Sequence, residues 1–132
     1  MLLSIFIFKF AEKINGMKVL NLTLKKEWFD LIKSGEKIEE YRELKDYWFD
    51  RLTVEGLDNI LTSAFVFGFE IYQPRFKTFD VVKFTNGYGK NAPNFMVELD
   101  GIEIKKGNEK WGAEKGVRYF VIKLGKIING DN

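Results

Sequence analysis

Neither cysteine nor histidine occurs among the 132 residues. The first absence excludes a disulfide framework, a thiolate nucleophile and zinc sites built on sulfur. The second removes the commonest metal ligand and the usual general base at neutral pH. Any proton transfer therefore falls to Lys, Glu, Asp, Tyr or Thr, and neither a metal site nor a cofactor is expected. An excess of one charge is missing too: 21 basic residues face 19 acidic ones, for a formal net charge of +2. The chain is not the cationic body that grips duplex DNA through many phosphates, so any affinity for nucleic acid must be local. The apolar opening Met1 to Phe10 lacks a basic segment before it and a small-residue cleavage site after it. It is also shorter than the roughly 20 residues a membrane helix needs. Neither secretion nor membrane association is expected, and the expected location is cytoplasmic.

The length suits one domain with a single core. Met17 to Leu22 reads as a fresh start, so residues 1–16 are expected to be an N-terminal extension outside the native domain, or else an added strand or partner-binding arm. The domain is expected over 17–126, with 127–132 as a frayed tail.

Lys18 to Leu24 carries the two-residue period of a half-buried strand. Trp28, Phe29, Leu31 and Ile32 then recur at helical spacing with Lys25, Lys26, Glu27, Asp30 and Lys33 on the other side, which predicts a helix begun by Thr23 or the residue after it and ended by Gly35. Tyr47, Trp48, Arg51 and Leu52 predict a second short helix with Asp46 as its cap. The apolar run Ala64 to Tyr72 reads as a strand or as a loop packed on the core. Phe79 to Thr85 predicts a strand and Asn86-Gly87-Tyr88-Gly89 a turn. Phe95 to Lys105 alternates again, with a hairpin turn or a bulge at Asp100-Gly101. Gly107 to Gly116 is a polar loop carrying Trp111, and Val117 to Leu124 is the last strand before a polar, frayed end. Without regular strand-helix alternation, the expected fold is α+β, a small mixed β-barrel of about five strands with two or three short helices.

Chemistry is densest in Gly35-Glu36-Lys37-Ile38-Glu39-Glu40-Tyr41-Arg42. On a strand Glu40 and Arg42 share a face while Glu39 and Tyr41 take the other. Lys37 has the wrong parity and joins them only if it precedes the strand or a bulge intervenes near Ile38. A solvated, charged edge is the plain alternative. The spacing of Gly35, Lys37, Glu40 and Arg42, set behind an amphipathic helix, resembles the Gly-x-Lys-x-x-Glu-x-Arg pattern of the ASCH family, small domains related to the PUA fold. The resemblance implies a PUA-like barrel over roughly Val19 to Leu124, with a basic, aromatic-edged cleft that binds RNA or a nucleotide.

Within such a cleft Lys37, Glu40 and Arg42 are the ligand-binding candidates. Arg42 offers a planar fork for a phosphate or a carboxylate, and Glu40 could hold that fork or accept from a base amino group. Asn86 could bond a base edge and Tyr88 could stack on its face, although a plain structural turn explains both residues equally. Thr23 is a candidate pocket hydroxyl and Trp111 a further stacking candidate. Some small ASCH proteins hydrolyse the amide of acetylcytidine with a motif lysine as nucleophile, and the resemblance then makes Lys37 catalytic. Glu40 stands where those enzymes carry threonine, a departure that weighs against this activity. The remaining alternative is a protein-interaction domain that uses its apolar 60–72 segment or its N-terminal stretch.

Overall fold

Leu20, Leu22 and Leu24 alternate with Val19, Asn21 and Thr23 along strand β1 (Val19–Leu24), so three leucines enter the core from one face. The computed structural model describes residues 16–56, 68 and 73–129. Apart from Gly16 and Gly68, the expected extension at 1–16 and the apolar stretch at 64–72 lie outside the described residues.

Helix α1 (Lys26–Lys33) follows β1, buries Phe29 and Ile32, and leads to the short strand β2 (Glu39–Arg42). Helix α2 (Asp46–Leu52) then buries Phe49 and Leu52. Beyond it come β3 (Val81–Asn86), β4 (Asn94–Lys106), a 3-10 turn at Glu109–Trp111 and β5 (Arg118–Asn129). The five strands form one mixed sheet in the order β1-β3-β4-β5-β2. β1 runs parallel to β3, with Leu22 opposite Phe84 and Leu24 opposite Asn86, and the other pairs are antiparallel. A parallel pair needs a long crossover, and both helices and β2 lie within this one.

The core fills the concave side of the sheet. Phe29 of α1 meets Phe95 of β4 edge-to-face with ring centres 4.9 Å apart, and Phe49 of α2 meets Phe120 of β5 at 4.8 Å. The sheet curls far enough to bring its two edges together, because Arg42 of β2 reaches the Thr23 carbonyl of β1 at 3.1 Å. The edges are joined through side chains, not as a strand pair, so the described fold is a half-barrel. At the far end of β1 from Thr23, an antiparallel bridge joins Thr53 to Phe76.

The structure corrects two helix starts, decides between the two readings of Asp100-Gly101 and lengthens the last strand. Thr23 does not begin α1: it and Leu24 stay paired with Thr85 and Asn86, and Lys25 holds the capping position without a side-chain bond. Asp46 is the first helical residue of α2, where its charge faces the positive helix end, and the cap is the extended Lys45. Asp100-Gly101 is a bulge within one 13-residue strand, since Leu99 pairs with Leu124 and Gly101 with Lys123, leaving Asp100 as the extra residue. Strand β5 runs beyond Leu124 to Asn129, with Ile127 opposite Val97 and Asn129 opposite Met96.

Candidate functional site

At Gly35 the chain leaves α1 with φ of +85°, a conformation that spares glycine the usual side-chain penalty. The Lys37 N–H then donates to the Leu31 carbonyl at 3.0 Å, tying residue 37 beneath the helix end. β2 begins two residues later, so Lys37 precedes the pleat and joins Glu40 and Arg42 despite its parity.

These three side chains form a relay, buried at Lys37 and Glu40 and half-buried at Arg42. Lys37 is only 2 % exposed, and its Nζ lies 2.5 Å from Glu40 Oε1. Glu40 Oε2 accepts Arg42 Nη2 at 2.9 Å, and the same nitrogen donates to the Thr23 carbonyl at 3.1 Å. Taking charges out of water is costly unless they are paired, and Glu40 pairs one oxygen with each cation. The relay keeps one net positive charge, which the aromatic faces around it help to hold: Lys37 Nζ is 4.9 Å from the Trp28 ring centre and 5.7 Å from that of Tyr41, and the Arg42 guanidinium is 5.2 Å from Trp48.

The loop after β4 makes the opposite wall. Gly112 has φ of +98°, and a side-chain carbon there would come within 2.9 Å of the Trp28 ring. One at Gly107 would come within 2.6 Å of the Ala113 side chain and 2.9 Å of the Tyr41 ring. The Tyr41 hydroxyl donates to Glu39 at 2.7 Å and accepts the Asn108 N–H at 2.8 Å. Burial, reinforced by the Glu39 carboxylate, holds this phenol well above its usual ionisation range, although the Asn108 N–H pulls the other way. On the flank of the sheet Glu39, Lys105, Glu103 and Lys123 form a ladder with spacings of 3.5, 3.3 and 2.9 Å. Its hydrogen bond from Lys123 holds the Glu103 carboxyl below the usual range.

Between these walls lies an open cavity of about 670 Å³. Thr23, Lys37, Glu40, Arg42, Asn86 and Tyr88, the six residues singled out in the sequence, all line it, as does Trp111. Asn86 reaches it because β1 and β3 pair in register up to Leu24 and Asn86. Tyr88 stands at the rim, 92 % exposed. The Asn86 amide and the Thr23 hydroxyl have no hydrogen-bond partner among the described residues. Arg42 Nε and Trp111 Nε1 are buried without one.

Sequence reasoning missed Trp28, Tyr41 and Tyr119 as wall residues. Trp28 falls on the apolar face of α1 and reads as core, and Tyr41 has the parity of the opposite face. It also expected a basic cleft. Lys25, Lys37 and Arg42 are matched here by Glu40, Glu43 and Glu114, so the lining is balanced in charge.

Among the described residues no three acidic side chains gather as a metal-holding group, and no helix is long and apolar enough to cross a membrane. Compared with protein-family models, curated proteins and solved structures, the chain matches none.

Proposed function

We propose that this chain is an ASCH-type, PUA-like module that binds an RNA base or a nucleotide in the cavity beside Lys37. The observation that carries this reading is the Lys37–Glu40–Arg42 relay opening onto a cavity walled by the rings of Trp28, Tyr41, Tyr88, Trp111 and Tyr119. Flat faces suit a base, and the Asn86 amide offers a donor and an acceptor to its edge. Hydrolysis of a modified nucleoside by Lys37 has weaker support. An ammonium locked against a carboxylate carries charge where a nucleophile needs a lone pair.

Titration with the four nucleosides, their 5′-monophosphates and short single-stranded RNA, followed by tryptophan fluorescence, tests the reading, since Trp28 and Trp111 both line the cavity. Binding is expected to weaken about tenfold in Tyr88→Ala or Asn86→Ala, as loss of one stacking or edge contact costs on the order of 1–3 kcal/mol. If the folded protein takes up none of these ligands, the reading is wrong.

A further inference from the structure

We infer that the Arg42 guanidinium and the Trp111 indole form an oxyanion subsite within the cavity, which takes a phosphate of the ligand. The inference rests on the binding role just proposed and narrows it to a nucleotide rather than a bare base.

Its ground is two donors that lack an acceptor. Arg42 Nε and Trp111 Nε1 are buried without a hydrogen-bond partner, and both residues line the cavity. Guanidinium and indole nitrogens only donate, so nothing but an incoming acceptor can satisfy them. A buried donor left unmade bears its full desolvation cost, and the guanidinium bears it as an ion. Among the described residues the bonds of Arg42 leave from Nη2 alone, to Glu40 at 2.9 Å and to the Thr23 carbonyl at 3.1 Å, while 19 % of its side chain stays open. Arg42 therefore keeps donors for a second anion without leaving Glu40. Trp111 sits on a three-residue 3-10 turn that no strand pairing holds, so this wall can give way to admit an oxygen.

Charge favours an anion over a neutral acceptor. Two cations and one carboxylate leave the relay with a net positive charge in the depth of the cavity. The rim does not cancel it: Glu43 is paired with Lys45 at 2.9 Å, and the exposed Glu114 stands against the exposed Lys25. A phosphate oxygen at Arg42 and Trp111 would neutralise the relay and answer both orphaned donors, leaving Asn86 and the flat walls to the base.

Isothermal titration of each nucleoside and its 5′- and 3′-monophosphates, at low and high salt, tests this. One of the monophosphates is expected to bind about tenfold more tightly than its nucleoside, with an advantage that fades as salt rises. Trp111→Phe keeps a ring but removes the Nε1 donor, and should weaken that monophosphate about threefold more than the nucleoside. Arg42→Lys keeps the charge but lacks Nε, and should narrow the same ratio. Circular dichroism checks that each variant folds, and where one does not, the other decides. A nucleoside that binds as tightly as both monophosphates overturns the subsite while the base-binding role stands. So does a phosphate advantage that a folded variant leaves intact, because the anion would then sit elsewhere. Failure of every ligand to bind overturns the role itself, and this inference with it.

Discussion

The guanidinium of Arg42, on one edge strand, donates to the main-chain carbonyl of Thr23 on the other at 3.1 Å. Arg51 of α2 does the same for Asn21, two residues earlier in β1, and its guanidinium lies 5.3 Å from the Trp48 ring that also contacts Arg42. Two arginines thus stitch the open side of the half-barrel to carbonyls that would otherwise lack a partner. Arg42→Ala removes a stitch and a partner of Glu40 together, and is expected to lower stability by about 2–3 kcal/mol. Arg42→Lys should recover part of this, since it restores charge but not a second donor arm. Urea unfolding of the three proteins measures both, and equal midpoints would contradict the stitch.

Glu40 is the hinge of the relay's electrostatics. Glu40→Gln leaves the buried Lys37 and the half-buried Arg42 around a neutral amide, a loss expected at about 3 kcal/mol. Lys37→Met leaves Glu40 still paired with Arg42 and puts an apolar chain of similar length beside Trp28, so its cost should be clearly smaller. Denaturant midpoints rank the two, and the reverse order would mean that Lys37 is held by something other than Glu40.

Gly35 and Gly112 both occupy positive φ, at +85° and +98°, but only Gly112 lacks room for a side chain. Gly35→Ala is expected to cost about 1–2 kcal/mol from backbone strain alone. Gly112→Ala adds a clash with Trp28, so it should cost more and also alter tryptophan emission. Thermal melts and fluorescence spectra separate the two effects.

Tyr41 gives the fold an alkaline limit. The phenol is raised above its usual value of 10.0, chiefly by burial, so between that value and its folded one the unfolded chain releases a proton the folded chain keeps. Stability is therefore fully present below about pH 10 and falls as pH rises beyond it. Tyr41→Phe loses the bonds to Glu39 and Asn108 at neutral pH but should show a shallower alkaline decline. Melting temperatures across pH 7 to 11 decide the point, and parallel curves would show that Tyr41 does not contribute.

Strand period was the most legible feature of the sequence, because Leu20, Leu22 and Leu24 or Phe95 and Val97 reach the core by simple alternation. Helix α1 and its glycine stop were equally plain. The starts of both helices were not, since neither Lys25 nor Lys45 uses a side-chain cap and polar spacing alone misplaces them. The grouping of Lys37, Glu40 and Arg42 was legible from parity plus an irregular link, and Asn86 and Tyr88 from the turn signal at the end of β3. The walls were harder to read. Trp28 serves core and cavity together, and its spacing reports only the first role. Charge balance was hidden because Glu43 and Glu114 come from segments far apart in sequence that the pairing of β2 with β5 brings to one rim.

The bridge between Thr53 and Phe76 is reinforced by Val54 N–H to the Arg75 carbonyl and Lys77 N–H to the Leu52 carbonyl, both at 2.8 Å. Val54 and Lys77 lie beside Lys18 and Val19, whereas Thr23, at the other terminus of that strand, belongs to the cavity. A single cysteine placed at the exposed Val54, in a chain that has none of its own, would therefore carry a fluorescent label or surface tether at the end of β1 away from the cavity and leave the pocket mouth unobstructed.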